Sequence, residues 1–303
     1  MKQNLSPIKQ THFGIARKIV SNMTSESWET IPHAVVTYEP ECTKFMQVVK
    51  ELNKDATKET KLTINSIMLR VIVEGLKVCP ALNAHINFNR ALVRGCVTEF
   101  KEINISMPMM LDTGEMMTIN MHDMHKKSIS EMQNAIKNAA KRANNSDMNE
   151  VMFEVSLDNT LNGLKEGKIK QTICRLIGSK TGKHKVHTLS GAAKKKYYAI
   201  PIEKRLTKHD IEQGTITVSN LGSIYREWDG ICTLLEIIPP PVAAIAIGSI
   251  KAIVEKDGTI RAGKKMPLTI AFDHRALDLG DVVPFMKKLD EIFANPEIIK
   301  EWV

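Results

Sequence analysis

The residues best equipped for chemistry sit in Leu268-Thr269-Ile270-Ala271-Phe272-Asp273-His274-Arg275-Ala276-Leu277-Asp278. Here His274 follows an apolar run and is flanked by Asp273 and Arg275, with Asp278 four residues on. An imidazole at a strand end, with charged neighbours that can fix its tautomer, is suited to general-base work near neutral pH. The same tripeptide is also ordinary on a protein surface, so local composition leaves both readings open. A second candidate is Ser219, in Thr215-Ile216-Thr217-Val218-Ser219-Asn220-Leu221-Gly222. Its hydroxyl could donate a hydrogen bond into a cleft, but Ser-Asn-x-Gly is also an ordinary turn, and local context alone favours the turn.

The surrounding pattern must supply the elements that hold these groups. Phe45, Val48, Val49 and Leu52 recur at helical spacing in residues 41–54, and Ile64, Ile67, Met68, Val71 and Leu76 do so in 63–79. Thr63 is placed to cap the second helix and Pro80 to end it. Residues 84–88 and 91–96, split by Asn89 and Arg90, read as a hairpin, and Ile103–Leu111 and Met116–Met121 as strands about Asp112-Thr113-Gly114. A helix is expected over Ser128–Arg142. Strands are expected over Thr215–Ser219, Val242–Val254 and Pro267–Phe272, with an amphipathic helix from Asp278 to Phe293. Strands and helices mix without a βαβ rhythm, which indicates an α+β domain with a mixed sheet.

Composition narrows the class. The chain has 303 residues, 43% hydrophobic and 25% charged, which suits a globular protein with a substantial core. Sixteen methionines in a chain only 5% aromatic read as flexible core filler and not as metal ligands. The five cysteines, Cys42, Cys79, Cys96, Cys174 and Cys232, form no Cys-x-x-Cys pair, which argues against zinc and against a disulfide-stapled fold. The polar start, Met1–Lys9, resembles no signal peptide, and the apolar stretch Thr233–Ile250 is broken by Glu236 and three prolines. No membrane partner and a reducing, cytoplasmic setting are expected. Of the net charge of +8, residues 163–205 contribute ten lysines and two arginines against two glutamates, so the remainder is close to neutral. That basic stretch, inside a weakly periodic region at about 143–210, reads as an insertion with local helices. It is either a solvated loop or a contact for an anionic partner or for phosphates. No nucleic-acid motif accompanies it.

Four segments in order resemble the catalytic domain of the dihydrolipoamide acyltransferases of 2-oxoacid dehydrogenase complexes, relatives of chloramphenicol acetyltransferase. They are residues 16–51, with Ile31-Pro32-His33, residues 61–88, the stretch GTITVSNLG at 214–222, and LTIAFDHRALD at 268–278. The resemblance covers most of the chain as a single acyltransferase domain, residues 1–303. It implies that His274 takes the proton from a thiol of coenzyme A or dihydrolipoamide, and that Ser219 donates to the oxyanion. It further implies that Asp278 holds the site together by pairing with Arg17, with Arg275 in support, and that acyl-coenzyme A is the substrate. Family members are trimers whose histidine and serine come from neighbouring subunits.

The sequence departs from the family pattern at several places. Leu279 stands where the family has glycine, which suggests a shifted start for the last helix, and Ile238 replaces the asparagine before the Pro-Pro pair. The family's Gly-Leu-Val-Val-Pro-Val reads Gly114-Glu115-Met116-Met117-Thr118-Ile119. No lipoyl or subunit-binding domain is recognised, so a lipoyl group is expected on a separate carrier protein. Two alternatives stand beside the leading one: acylation of a small hydroxyl or amine, or a catalytically weakened trimeric scaffold.

Overall fold

Side chains with no polar face decide where the sheet has its centre. The stretches Ala243–Ile247 and Leu268–Asp273 are buried at every position, as strands covered on both faces must be. The computed structural model of the protein describes residues 6–303 apart from 112, 113, 115, 166, 168, 183, 184, 224–230 and 257–259.

In chain order, helix α1 (Ile15–Thr30) leads to strand β1 (His33–Tyr38), then α2 (Thr43–Leu52) and α3 (Ile64–Val78). Strands β2 (Ala84–Asn89), β3 (Arg94–Glu99), β4 (Ile105–Met110) and β5 (Met116–Met121) follow. Next come α4 (Ile129–Asn144), α5 (Met148–Lys165), α6 (Ile169–Lys180), α7 (Gly191–Tyr198) and α8 (Lys208–Ile211). The chain then forms β6 (Ile216–Asn220), β7 (Ala243–Ile247), β8 (Lys251–Lys256), β9 (Ile260–Lys265), β10 (Leu268–Asp273) and α9 (Leu279–Ala294).

Six strands make one sheet in the order β1-β10-β7-β6-β4-β5. The pairs β1–β10, β10–β7 and β4–β5 are antiparallel, whereas β7–β6 and β6–β4 are parallel. The sheet is mixed and the class is α+β, as the patterning indicates. Two separate hairpins, β2–β3 and β8–β9, stand off it. Buried methionines, among them Met68, Met107, Met124, Met132 and Met266, pack in the main core, consistent with the filler reading. Among the described residues no group of three ligating side chains could hold a metal, and no helix is long and apolar enough to cross a membrane.

Helix starts follow local chemistry. The Thr63 hydroxyl accepts from the Ser66 amide at 3.2 Å, and Ser128 and Glu131 form a reciprocal capping box on α4. Gln133 of α4 accepts from the Thr63 amide at 2.8 Å and donates to the Lys61 carbonyl at 2.9 Å, locking α4 to the entry of α3.

Two expected strand boundaries are corrected. β3 begins at Arg94, because residues 90–93 form a longer connection in which Asn89 accepts from the Leu92 amide at 3.0 Å and Val93 takes φ 48°. The single strand expected over 242–254 is two. Gly248 donates to the Pro267 carbonyl at 2.8 Å, and a Cβ there would come within 2.8 Å of the Pro267 ring, so the chain leaves the sheet and re-forms as β8. Of the turn expected at 112–114, Asp112 and Thr113 lie outside the described residues, while Gly114 has φ +81°. Finally, α9 begins directly after Asp278, so Leu279 does not shift its start.

The α3–α9 crossing makes one sharp demand. A Cβ on Gly75 would lie 2.6 Å from the Phe285 ring and 2.8 Å from Leu289. Replacing Gly75 by leucine should therefore overpack this contact and cost about 1–3 kcal/mol. Thermal unfolding should register it as a midpoint several degrees lower, and an unchanged midpoint would show that the crossing can open freely.

Candidate active site

The end of β10 is shaped by a carboxylate that cannot reach water. Asp273 is fully buried and lies opposite His33 in the β1–β10 register. It accepts from the Arg275 backbone amide at 2.9 Å, from Arg275 Nε at 3.0 Å and from Arg275 Nη2 at 2.6 Å. A bidentate guanidinium satisfies a buried carboxylate best, because its fork matches the two oxygens. The backbone turns at the same point: Ala276 and Leu277 amides donate to the Asp273 carbonyl at 2.9 and 3.1 Å. Arg275, predicted as a supporting residue, is thus the clamp of this turn, with its guanidinium 5.8 Å from the Phe88 ring centre.

That turn puts His274 outside the sheet. Its amide donates to the Pro32 carbonyl at 3.0 Å, and its side chain is 56% exposed. Nδ1 lies 3.2 Å from the Leu277 carbonyl oxygen and 3.2 Å from Asp278 Oδ1. A carbonyl only accepts, so Nδ1 carries the proton in the neutral ring and Nε2 offers a lone pair. Among the described residues Nε2 has no hydrogen-bond partner, which is the state a general base needs before substrate arrives.

Asp278 is the N-cap residue of α9, and its own amide donates to Asp281 Oδ2 at 2.8 Å. The expected pairing with Arg17 is not formed. Asp278 and His274 share one tight turn four residues apart, so the carboxylate meets the imidazole first. Arg17 is exposed on α1. With Asp278 81% exposed, the contact orients the ring more than it stabilises the fold.

His33, in Ile31-Pro32-His33, is a positioning residue whose role the residue pattern does not reveal. Its Nε2 accepts from the Ile237 amide at 3.1 Å, so Nδ1 donates to the Ile31 carbonyl at 2.9 Å. Buried Ser27 donates to the Ile237 carbonyl at 2.8 Å. The segment before the Pro239-Pro240-Pro241 run is thereby fastened to the start of β1, beside the backbone that supports His274.

Ser219 lies in β6 and is 6% exposed, and its hydroxyl makes no hydrogen bond among the described residues. Its neighbour Asn220 donates to Asn65 of α3 at 3.0 Å, which fixes the end of the strand. The sheet register measures how far Ser219 is from His274. Ser219 pairs with Ala246, Ala246 with Thr269, and His274 follows Thr269 by five residues. At about 3.3 Å per residue and about 4.8 Å per strand, the two backbones are roughly 19 Å apart. One chain does not bring these two side chains to a common atom.

Nor is a cysteine offered as a nucleophile beside the histidine. Cys79, near the start of α9, donates its thiol to the Asp281 carbonyl at 3.1 Å, and burial pushes its pKa up. Burial likewise pushes Cys42 up to about 12.

Comparison with known proteins agrees with this architecture. The family described as 2-oxoacid dehydrogenases acyltransferase (catalytic domain) matches residues 6–156 and 188–300, leaving 157–187 unmatched. The dihydrolipoyllysine-residue acetyltransferase component of the mitochondrial pyruvate dehydrogenase complex of Saccharomyces cerevisiae is 22% identical over 92% of this chain and 45% of its own length. The chain thus spans about half the length of the curated relatives it matches. The cubic core of the pyruvate dehydrogenase multienzyme complex shares the fold with a TM-score of 0.65 at 16% identity, covering 98% of this chain and 96% of that one. Dihydrolipoamide acetyltransferase of Azotobacter vinelandii aligns with a TM-score of 0.61 at 16% identity, over 98% of this chain and 96% of its own. Its structure was used to study a serine, a histidine and, four residues beyond the histidine, an asparagine in the catalytic mechanism. This chain belongs to the family of 2-oxoacid dehydrogenase acyltransferase catalytic domains.

Proposed function

We propose that the chain transfers an acyl group between coenzyme A and a thiol such as that of dihydrolipoamide, with His274 as the general base and no covalent enzyme intermediate. The observation that carries this is the His274 ring itself, held through Nδ1 by Leu277 and Asp278 with Nε2 open. In the Azotobacter vinelandii enzyme the studied asparagine stands four residues after the studied histidine, as Asp278 does after His274.

The chemistry follows from proton affinities. A free thiol and a free imidazole differ by only about two pH units in proton affinity, so an imidazole is a competent base for generating a thiolate. The resulting thiolate attacks the thioester carbonyl and forms a tetrahedral oxyanion. The Ser219 hydroxyl donates to that oxygen. The intermediate collapses by breaking its bond to the departing sulfur, which recovers the proton from the imidazolium. Aligning the two thiols supplies a further part of the acceleration.

In this reading the sheet dimensions call for a second copy at the site. Since Ser219 and His274 lie at roughly 19 Å within one chain by strand spacing, the reading needs His274 of one copy to face Ser219 of the next, and the assembly proposed to provide this is a homotrimer or larger ring. The proposal includes a reducing, cytoplasmic setting, supported by five cysteines that are all free.

Release of free thiol from acetyl-coenzyme A in the presence of dihydrolipoamide tests the chemistry. His274→Ala should lower kcat/KM by about 10²–10⁴, the range for loss of a general base. Ser219→Ala should cost about 10²–10³, the range for one oxyanion donor. Turnover equal to the parent in either variant would remove that residue from the mechanism. Transfer to a small hydroxyl or amine, but not to the dithiol, would redirect the acceptor.

A mixing experiment tests the shared site. Co-expressed His274→Ala and Ser219→Ala chains should form mixed rings in which about a quarter of the sites combine both intact residues, given random assembly on a cyclic axis. Activity should rise well above either variant alone. Mixed rings no more active than the separate variants would place both residues in one subunit's site, or outside the site altogether.

A further inference from the structure

The unmatched residues 157–187 form most of a helical pair, the second half of α5 and all of α6, which pack on each other. The hydrogen bond from Lys18 to the Gly178 carbonyl, at 3.0 Å, ties α6 to α1. The outer surface of this pair is unexpectedly apolar. On α5, Leu157, Leu161 and Leu164 are 49%, 50% and 45% exposed, and on α6, Ile169, Ile173 and Ile177 are 57%, 50% and 56% exposed. At 3.6 residues per turn, each set falls within an arc of about 60–80°, so each helix carries one continuous stripe. An apolar surface of this continuity marks a contact that is not made within the chain.

Charge selects the occupant. Residues 157–187 hold six lysines and one arginine against Asp158 and Glu166, a net +5. Pairing two copies through this face would bring two such hairpins together and oppose the contact. The chain outside 163–205 is close to neutral overall, so the cationic character is concentrated near this hairpin. The six stripe residues are all solvent-exposed. A cavity of about 360 Å³ is lined by Asn144, Asp147, Lys196 and Tyr197 among others, and by none of the six stripe residues. An exposed apolar surface in a segment of net positive charge fits the interface of an anionic bilayer, where aliphatic side chains enter the headgroup boundary and lysines meet phosphates.

We propose that the α5–α6 hairpin is a peripheral docking surface for a bilayer containing acidic phospholipids, which would hold the assembled acyltransferase at a membrane without spanning it. Flotation of the full chain with vesicles tests this. The protein should float with 3:1 phosphatidylcholine–phosphatidylglycerol vesicles and not with phosphatidylcholine alone, and binding should fall at least about tenfold between 50 and 500 mM NaCl as screening grows. Leu161→Asp/Ile173→Asp should abolish flotation, and Lys170→Glu/Lys185→Glu should weaken it. Both double variants should keep the parent's helicity, oligomer size and thiol-release rate. Three results would overturn the proposal: no enrichment on acidic vesicles, flotation undiminished by the aspartate pair, or a smaller oligomer in that variant, which would make a second copy the occupant.

Discussion

A carboxylate with no access to water is costly as a lone charge, and Asp273 occupies such a place at the end of a fully buried strand. The neighbouring Arg275 resolves the cost by chelating both oxygens, so the chain must fold back on itself within two residues. Breaking a buried pair of this kind typically costs about 3–5 kcal/mol, enough to make the turn obligatory. The residue between the two partners stands outside the sheet, its side chain more than half exposed. His274 owes its exposure to that constraint, and its orientation to the carbonyl and carboxylate three and four residues on.

The sheet fixes the other half of the arrangement. Because β6 and β7 run parallel while β10 runs antiparallel to β7, the C-terminal ends of β6 and β10 point to opposite edges. Ser219 near one end and His274 beyond the other are therefore held apart by hydrogen-bonded strands that do not compress. No side-chain rotation closes a gap of several strand residues. In the proposed reading, assembly is part of the chemistry and not an addition to it.

Short-range physics made much of this legible in the sequence. The Thr63 cap, the Ser128–Glu131 box and the Pro80 stop lie within a few residues of what they control, and α3, α4 and α9 fall where the periodicity put them. His274 and Ser219 stood out as candidates from their local setting and took their roles from motif resemblance, but the contact between Asp278 and Arg17 did not materialise, because it depended on which neighbour the carboxylate meets first. The split of 242–254 into β7 and β8 was invisible for a similar reason. Its cause is the approach of Pro267 to Gly248, nineteen residues away. The role of His33 was hidden too, since its partner is the backbone of Ile237, and no pattern of residue types records a bond to an amide.

Two departures from the family pattern leave the frame intact, the first because of that same backbone bond. Ile238 stands where an asparagine is usual, yet the chain beside it is held by His33 and Ser27 through the amide and carbonyl of Ile237. Anchoring of that kind does not depend on the next side chain. Leu279 is half exposed as the first residue of α9, and a Cβ on Gly280 would meet nothing within 4 Å. The helix entry thus makes no steric demand for glycine at either position. What it does require is that Asp278 stay at the cap, where one carboxylate is near both the helix start and the imidazole.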